Sequence, residues 1–271
     1  MTNLEIKSNS NKEKINIYNN KDFQSMRKAG NLAAKTLDFI TKYVKPGVST
    51  EKLNQLCHNF IIDNKALPAP LNYNGFPKSI CTSVNHVVCH GIPSKKILDQ
   101  GDIINIDVTV ILNGWFGDTS RMFIVGNKTS IKGEKLISVT YECLMDAIKI
   151  IKPNLALGDI GYIIEKKAMK NSFSIVKDFC GHGVGKNFHE PPSVLHYGNR
   201  GQGLKLKEGM IFTIEPMLNA GTDEIKVLND GWTAVTKDKK LSAQFEHTIG
   251  VTKNGYEIFT LSPKNYHKPP Y

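Results

Sequence analysis

"GDIINIDVTVIL", Gly101 to Leu112, sets one aspartate, Asp107, inside a run of isoleucine and valine. Ile104, Ile106, Val108 and Val110 alternate with Asn105, Asp107 and Thr109, which predicts a β-strand with one apolar and one polar face. Aspartate is depleted from strands and is seldom buried without a partner. Taken alone, the stretch reads equally well as a sheet edge whose polar face is in water. The residues around it favour another reading.

Asn113-Gly114 predicts a tight hairpin turn that returns "GWFGDTSR", with Asp118, beside Asp107. The strand also has a second copy. "LDQGDIINID" (Leu98 to Asp107) aligns without gaps on "LKEGMIFTIE" (Leu206 to Glu215), so Glu215 takes the place of Asp107 at an offset of 108 residues. The preceding elements repeat in the same order. Residues 21–44 predict a helix, with Met26, Ala29, Ala33, Leu37 and Ile40 on one face; "KPGVS" breaks it, and Thr50 caps a second helix to about Lys65. Residues 133–151 predict a helix, "KPNLALG" breaks it, and Asp159 caps a helix to about Asn171. Each half then carries a histidine followed closely by proline, in "HGIP" at His90 and "HEPP" at His189. The chain therefore reads as two α+β halves, about 21–127 and 128–262, joined in one domain spanning 21–271. A pseudo-two-fold between them would aim Asp107 and Glu215 into one cleft.

Composition narrows the class. A hydrophobic fraction of 40% and a charged fraction of 22% describe a soluble globular protein. No apolar run approaches the roughly 18 residues of a membrane span, and "MTNLEIKSNSNKEKINIYNN" has no secretory core. Residues 1–20 are expected to be a polar, flexible tail. Five cysteines without a CxxC pair fit a reducing compartment, so the cytoplasm is the expected location. Of the 35 basic residues only Arg27, Arg121 and Arg200 are arginine, which argues against specific nucleic-acid recognition. The net charge of +10 is compatible with a weak, salt-sensitive attraction to a polyanion such as the ribosome surface.

Two further residues complete the candidate site. Glu246 lies on the polar face of a third expected strand, "SAQFEHTIGV", and His182 stands between two glycines in "DFCGHGVGKNFHEPP". Four carboxylates in one cleft raise one another's pKa and call for cations. Four oxygen donors and an imidazole suit Mn, Fe, Co or Zn, and the number of acids favours two ions. His58, His247 and His267 read as structural, and His86 and His196 match no motif.

Together, "NIDVTVILNGWFGDTSR", "GHGVG", "FHEPP", "FTIEPM", "SAQFEHT" and "YNGFPKSICTSVNHVVCHGIP" resemble the methionine aminopeptidases in their short bacterial type I form, over residues 21–262. The resemblance implies the pita-bread fold: two pseudo-two-fold-related halves around a curved antiparallel β-sheet with helices on its outer face. It implies two metals held by Asp107, Asp118, His182, Glu215 and Glu246, and removal of the initiator methionine from nascent proteins, with a small second residue preferred, through a metal-activated bridging water. Glu215 would be the base, His189 the donor to the carbonyl oxygen, and His90 a contact to the following peptide nitrogen. Tyr73, Phe76, Cys81, Phe188 and Trp232 would hold the methionine side chain, and the protein would act as a monomer. Two alternatives stand beside this: a proline-specific aminopeptidase, or a non-catalytic peptide-binding module, of the same fold.

Overall fold

Asn113 and Gly114 hold φ of 52° and 77°, the positive pair that a two-residue hairpin turn requires. They join two ten-residue antiparallel strands, Ile103–Leu112 and Trp115–Ile124. The register opposes Asp107 to Ser120 and Thr109 to Asp118. The two aspartates are thus diagonal neighbours on one face of the hairpin.

The computed structural model describes residues 14–271. Of the tail expected over 1–20, residues 1–13 lie outside the described residues, and the rest is not a tail. Asn19 caps helix α1 (Asn20–Ile40) by accepting from the Lys21 and Asp22 amides, and Ile15 and Tyr18 pack on apolar clusters. Ile15 and Tyr18 stand among polar residues, so composition alone misses that this segment is seated. Among the described residues three more α-helices follow: α2 (Thr50–Asp63), α3 (Ile131–Lys149) and α4 (Leu157–Lys170). Ser49, not Thr50, caps α2, its hydroxyl accepting from the Lys52 amide at 3.1 Å. Asp159 lies inside the first turn of α4 and accepts from the Ala156 amide at 3.1 Å.

The sequence repeat is also a repeat of backbone hydrogen bonds. Gly47 donates to the Leu98 carbonyl, as Asn154 does to that of Leu206. Leu98 donates to Val48 and Leu206 to Leu155; Gly101 donates to Val125 and Gly209 to Val251. Each half then builds its own helix-on-sheet core. In the first, Ile104, Ile106, Val108 and Val110 are fully buried against residues of α1 and α2. In the second, Phe212, Ile214, Leu218 and Ile249 are buried against α3 and α4. With the apolar sheet faces covered by helices, the polar faces line an internal cleft.

The strand pairs among the described residues are all antiparallel. Two expected continuous strands are broken, both at acids. "FTIEPM" divides into Ile211–Ile214 and Met217–Asn219, because Pro216 has no amide to continue the ladder after Glu215. "SAQFEHTIGV" divides into Ser242–Gln244 and His247–Thr252, which pair with different neighbours. At that break Glu246 donates its amide to the Ser120 carbonyl (3.1 Å). Thr119 Oγ1 donates to the Glu246 carbonyl and Thr248 Oγ1 to that of Asp118, each at 2.7 Å. These bonds stitch the hairpin of the first half to the second.

Candidate metal centre

A cavity of about 390 Å³ opens between the halves, and all of Tyr73, Phe76, Cys81, His90, Asp107, Asp118, His182, Phe188, His189, Glu215, Trp232 and Glu246 line it. The first half contributes the hairpin acids, Cys81 directly across the ladder from Asp107, and the segment bearing Tyr73 and Phe76. The second contributes Glu215 and Glu246 from its strand breaks and His182 from the short strand Gly181–Gly183. The glycines beside His182 are needed for close approach: a Cβ on Gly181 would lie 2.4 Å from the Thr213 carbonyl oxygen, and one on Gly183 2.3 Å from that of Pro191.

The acids and the imidazole converge without bonding one another. One donor atom each of Asp118, His182 and Glu246 lies within 4.8 Å of the others. His182 Nε2 is 3.6 Å from both Asp118 Oδ2 and Glu215 Oε1, beyond hydrogen-bond reach. His182 Nδ1 is 3.0 Å from the Gly183 carbonyl oxygen, and donating to it leaves the Nε2 lone pair facing the carboxylates. Neighbours hold the acids in place. Thr109 donates to Asp118 Oδ1 at 2.7 Å, Thr213 to Glu215 Oε1 at 2.8 Å, and Gln244 to Glu215 Oε2 at 3.2 Å. Asp107 Oδ1 is buried, and no group among the described residues donates to it.

Burial, then mutual repulsion, raises Asp107, Glu215 and Glu246 well above the ordinary carboxylate range; burial raises Asp118 to about 7. Burial lowers His182 and His90 to about 4 and, with help from both of them, His189 to about 3, so all three imidazoles are neutral near pH 7. Four carboxylates that resist ionising together, one with an orphaned oxygen, and an imidazole lone pair among them make a donor set that fits divalent cations.

Aromatic rings form the rest of the wall. Phe76 meets Trp232 edge-on with centroids 5.2 Å apart, and Tyr73 packs on Phe188 at 4.8 Å. Phe188 stacks on His189 at 4.3 Å, and His189 Nδ1 is 2.9 Å from the Tyr73 hydroxyl. His90 sits edge-on to Phe179 at 5.3 Å and holds φ +56°, in the left-handed region that few residues other than glycine adopt.

Three supporting residues escaped the sequence reading. Thr213, which accepts from the His182 amide at 3.0 Å while donating to Glu215, had a signal: it shares the polar face two residues before an acid. His196, fully buried, accepts the Glu215 amide on Nε2 at 3.2 Å, and nothing in its local sequence announces that. Phe179 lies in an irregular segment and reaches His90 only through the fold.

Residues 24–253 match the model of metallopeptidase family M24. The chain is 63% identical over 258 residues to the methionine aminopeptidase of Rickettsia prowazekii, covering 95% of this chain and 99% of that protein. It is 54% identical over 249 residues to the methionine aminopeptidase of Escherichia coli K12, covering 91% and 94%. The crystal structure of the Rickettsia prowazekii enzyme superposes with a TM-score of 0.90 at 62% identity, over 92% of this chain and all of that one (100%). The methionine aminopeptidase of Thermotoga maritima gives 0.89 at 39% identity, covering 91% and 99%. The prolidase of Pyrococcus furiosus, 21% identical with a TM-score of 0.69 over 90% of this chain and 65% of its own, shares the pita-bread fold.

Proposed function

The chain belongs to metallopeptidase family M24 and, within it, to the methionine aminopeptidases; on that premise we propose that it removes the initiator methionine from nascent proteins, preferring a small second residue. It is a metal-dependent exopeptidase. The observation that carries the reading of the site is the orphaned Asp107 carboxylate among three other buried acids and the His182 lone pair. Asp107, Asp118, His182, Glu215 and Glu246 would hold two divalent cations. When bound, these would lower the pKa of a water and polarise the scissile carbonyl.

Each residue has a task that its surroundings suit. Glu215, held through both oxygens by Thr213 and Gln244, takes the water's proton and delivers it to the leaving amine. With the Tyr73 hydroxyl donating to Nδ1, neutral His189 keeps its proton on Nε2, and donates it in a hydrogen bond to the carbonyl oxygen as charge builds there. His90, braced by Phe179, contacts the peptide nitrogen of the second residue. The methionine thioether lies among Tyr73, Phe76, Cys81, Phe188 and Trp232, where sulfur against ring edges is favourable. The five cysteines are free thiols, which suits a cytoplasmic enzyme meeting chains as they emerge.

Removing the carbonyl donor gives a direct check. His189→Ala is expected to lower kcat roughly 10²–10³-fold with KM little changed. A kcat within threefold of wild type would remove the role given to His189. The activity itself is tested by incubating the protein with Met-Ala-Ser and with Ala-Pro-Ala, each with and without added divalent metal. Only Met-Ala-Ser should be cleaved, and only with metal. Cleavage of Ala-Pro-Ala instead would favour a proline-specific peptidase, and no cleavage of either a binding module.

A further inference from the structure

Glu190 follows His189, lines the same cavity and is buried, yet it belongs to neither the proposed metal set nor the methionine pocket. Its carboxylate is fully engaged. Asn187 donates to Oε1 from its backbone amide at 2.9 Å and its side-chain amide at 3.1 Å. Asn16 Nδ2 donates to Oε2 at 2.6 Å, and the Tyr18 hydroxyl lies 2.8 Å from Oε2 and 3.0 Å from Oε1. Two of these three donor residues come from the far end of the chain.

The geometry of the loop makes this bonding consequential. Asn187 and Glu190 bracket Phe188 and His189, and the bond from the Asn187 amide to the Glu190 carboxylate closes that turn. The same carboxylate is anchored from outside by the arm of residues 16–18. That arm is itself well seated. Tyr18 donates its amide to the Gly209 carbonyl at 2.8 Å and meets Trp115 edge-on at 5.3 Å. Gly185, at the start of the loop, leaves room for it: a Cβ there would lie 2.2 Å from the Tyr18 hydroxyl. On the cavity side, His189 has the Tyr73 hydroxyl as a polar neighbour, so the two tyrosines hold the loop from opposite sides.

We propose that Asn16 and Tyr18 are positioning residues that act through Glu190 on His189, making the N-terminal arm part of the apparatus that aims the carbonyl donor. This rests on the role given to His189 above. Asn16 and Tyr18 do not line the cavity, so their effect must travel through the loop. Coupling of that kind shows as non-additivity between substitutions.

The test is a double-mutant cycle of Tyr18→Phe with His189→Ala, using metal-loaded full-length protein and Met-Ala-Ser. Phenylalanine keeps the ring against Trp115 and removes only the hydroxyl, which faces Glu190 and also accepts from the Lys186 amide at 3.4 Å. Y18F is expected to lower kcat roughly tenfold with KM within about twofold, and to cost nothing further in the H189A background. Backbone amides of 187–190 should exchange with deuterium roughly tenfold faster in Y18F, while amides of the strand pair Ile103–Leu112 and Trp115–Ile124 are unchanged. Asn16→Ala should reproduce both effects. An unchanged kcat, an equal loss in both backgrounds, or unchanged exchange over 187–190 overturns the proposal. A fully active H189A enzyme would instead sink the role given to His189, and exchange over 187–190 would still decide whether the arm fixes the loop.

Discussion

Glu215→Gln is expected to lower kcat for Met-Ala-Ser by roughly 10³-fold or more. The amide has nearly the same shape, and its oxygen still accepts from Thr213, so the strand break at Glu215-Pro216 should survive. Two things are lost together. The amide has no basic oxygen to take a proton, and one of four negative charges leaves a cluster that only cations can balance. Calorimetric titration with Mn²⁺ separates these effects, since a loss due to weak metal binding recovers when metal is raised to saturation. The proton-transfer role predicts that it does not recover. A saturated E215Q enzyme retaining more than about a tenth of the wild-type kcat would assign the base elsewhere.

Stripping the metal with a chelator should abolish cleavage, and the pH dependence of its return reports on the acids. Below pH 7 the metal-free site keeps protons on its carboxylates, since Asp118 is raised to about 7 and Asp107, Glu215 and Glu246 are raised too. His182, lowered to about 4, has already lost its proton and contributes nothing to the exchange. A cation must therefore displace carboxylate protons, and each proton displaced tightens binding by up to about tenfold per pH unit. The Kd for Mn²⁺ should fall at least roughly tenfold between pH 6 and pH 7, with proton release visible as a buffer-dependent heat. A Kd that is flat over that range, with no proton release, would mean that these acids are already ionised before metal arrives.

The features legible in the sequence are those written locally. Alternation around Asp107 marks the strand, Asn113-Gly114 marks the hairpin, and the repeat of Leu98–Asp107 in Leu206–Glu215 marks the second acid, which lines the same cavity as the first. Side chains that meet only through the fold left weaker traces. His196 reaches the Glu215 amide across the second half, and Tyr18 reaches Glu190 from 172 residues away. Ser49 displaced Thr50 as the cap of α2 because two adjacent hydroxyl residues offer the same local chemistry, and the bond from Thr50 Oγ1 to the Ser94 carbonyl, remote in sequence, separates them. The break after Glu215 was signalled by Pro216. The break at Phe245–Glu246 has no such mark and follows from the bond between the Glu246 amide and the Ser120 carbonyl.

The threonine bonds that join the halves bear on how such a site could arise. Thr119 reaches the backbone of Glu246, and Thr248 that of Asp118, so each half grips the other beside an acid. In a two-fold homodimer of a single half, a matching contact would be a subunit interface, and any acid near the axis would appear twice with no second invention. Fusion into one chain removes the requirement that both copies stay alike. One half would then be free to keep its acids within unbroken hairpin strands, and the other to set its acids at a proline break and a strand junction.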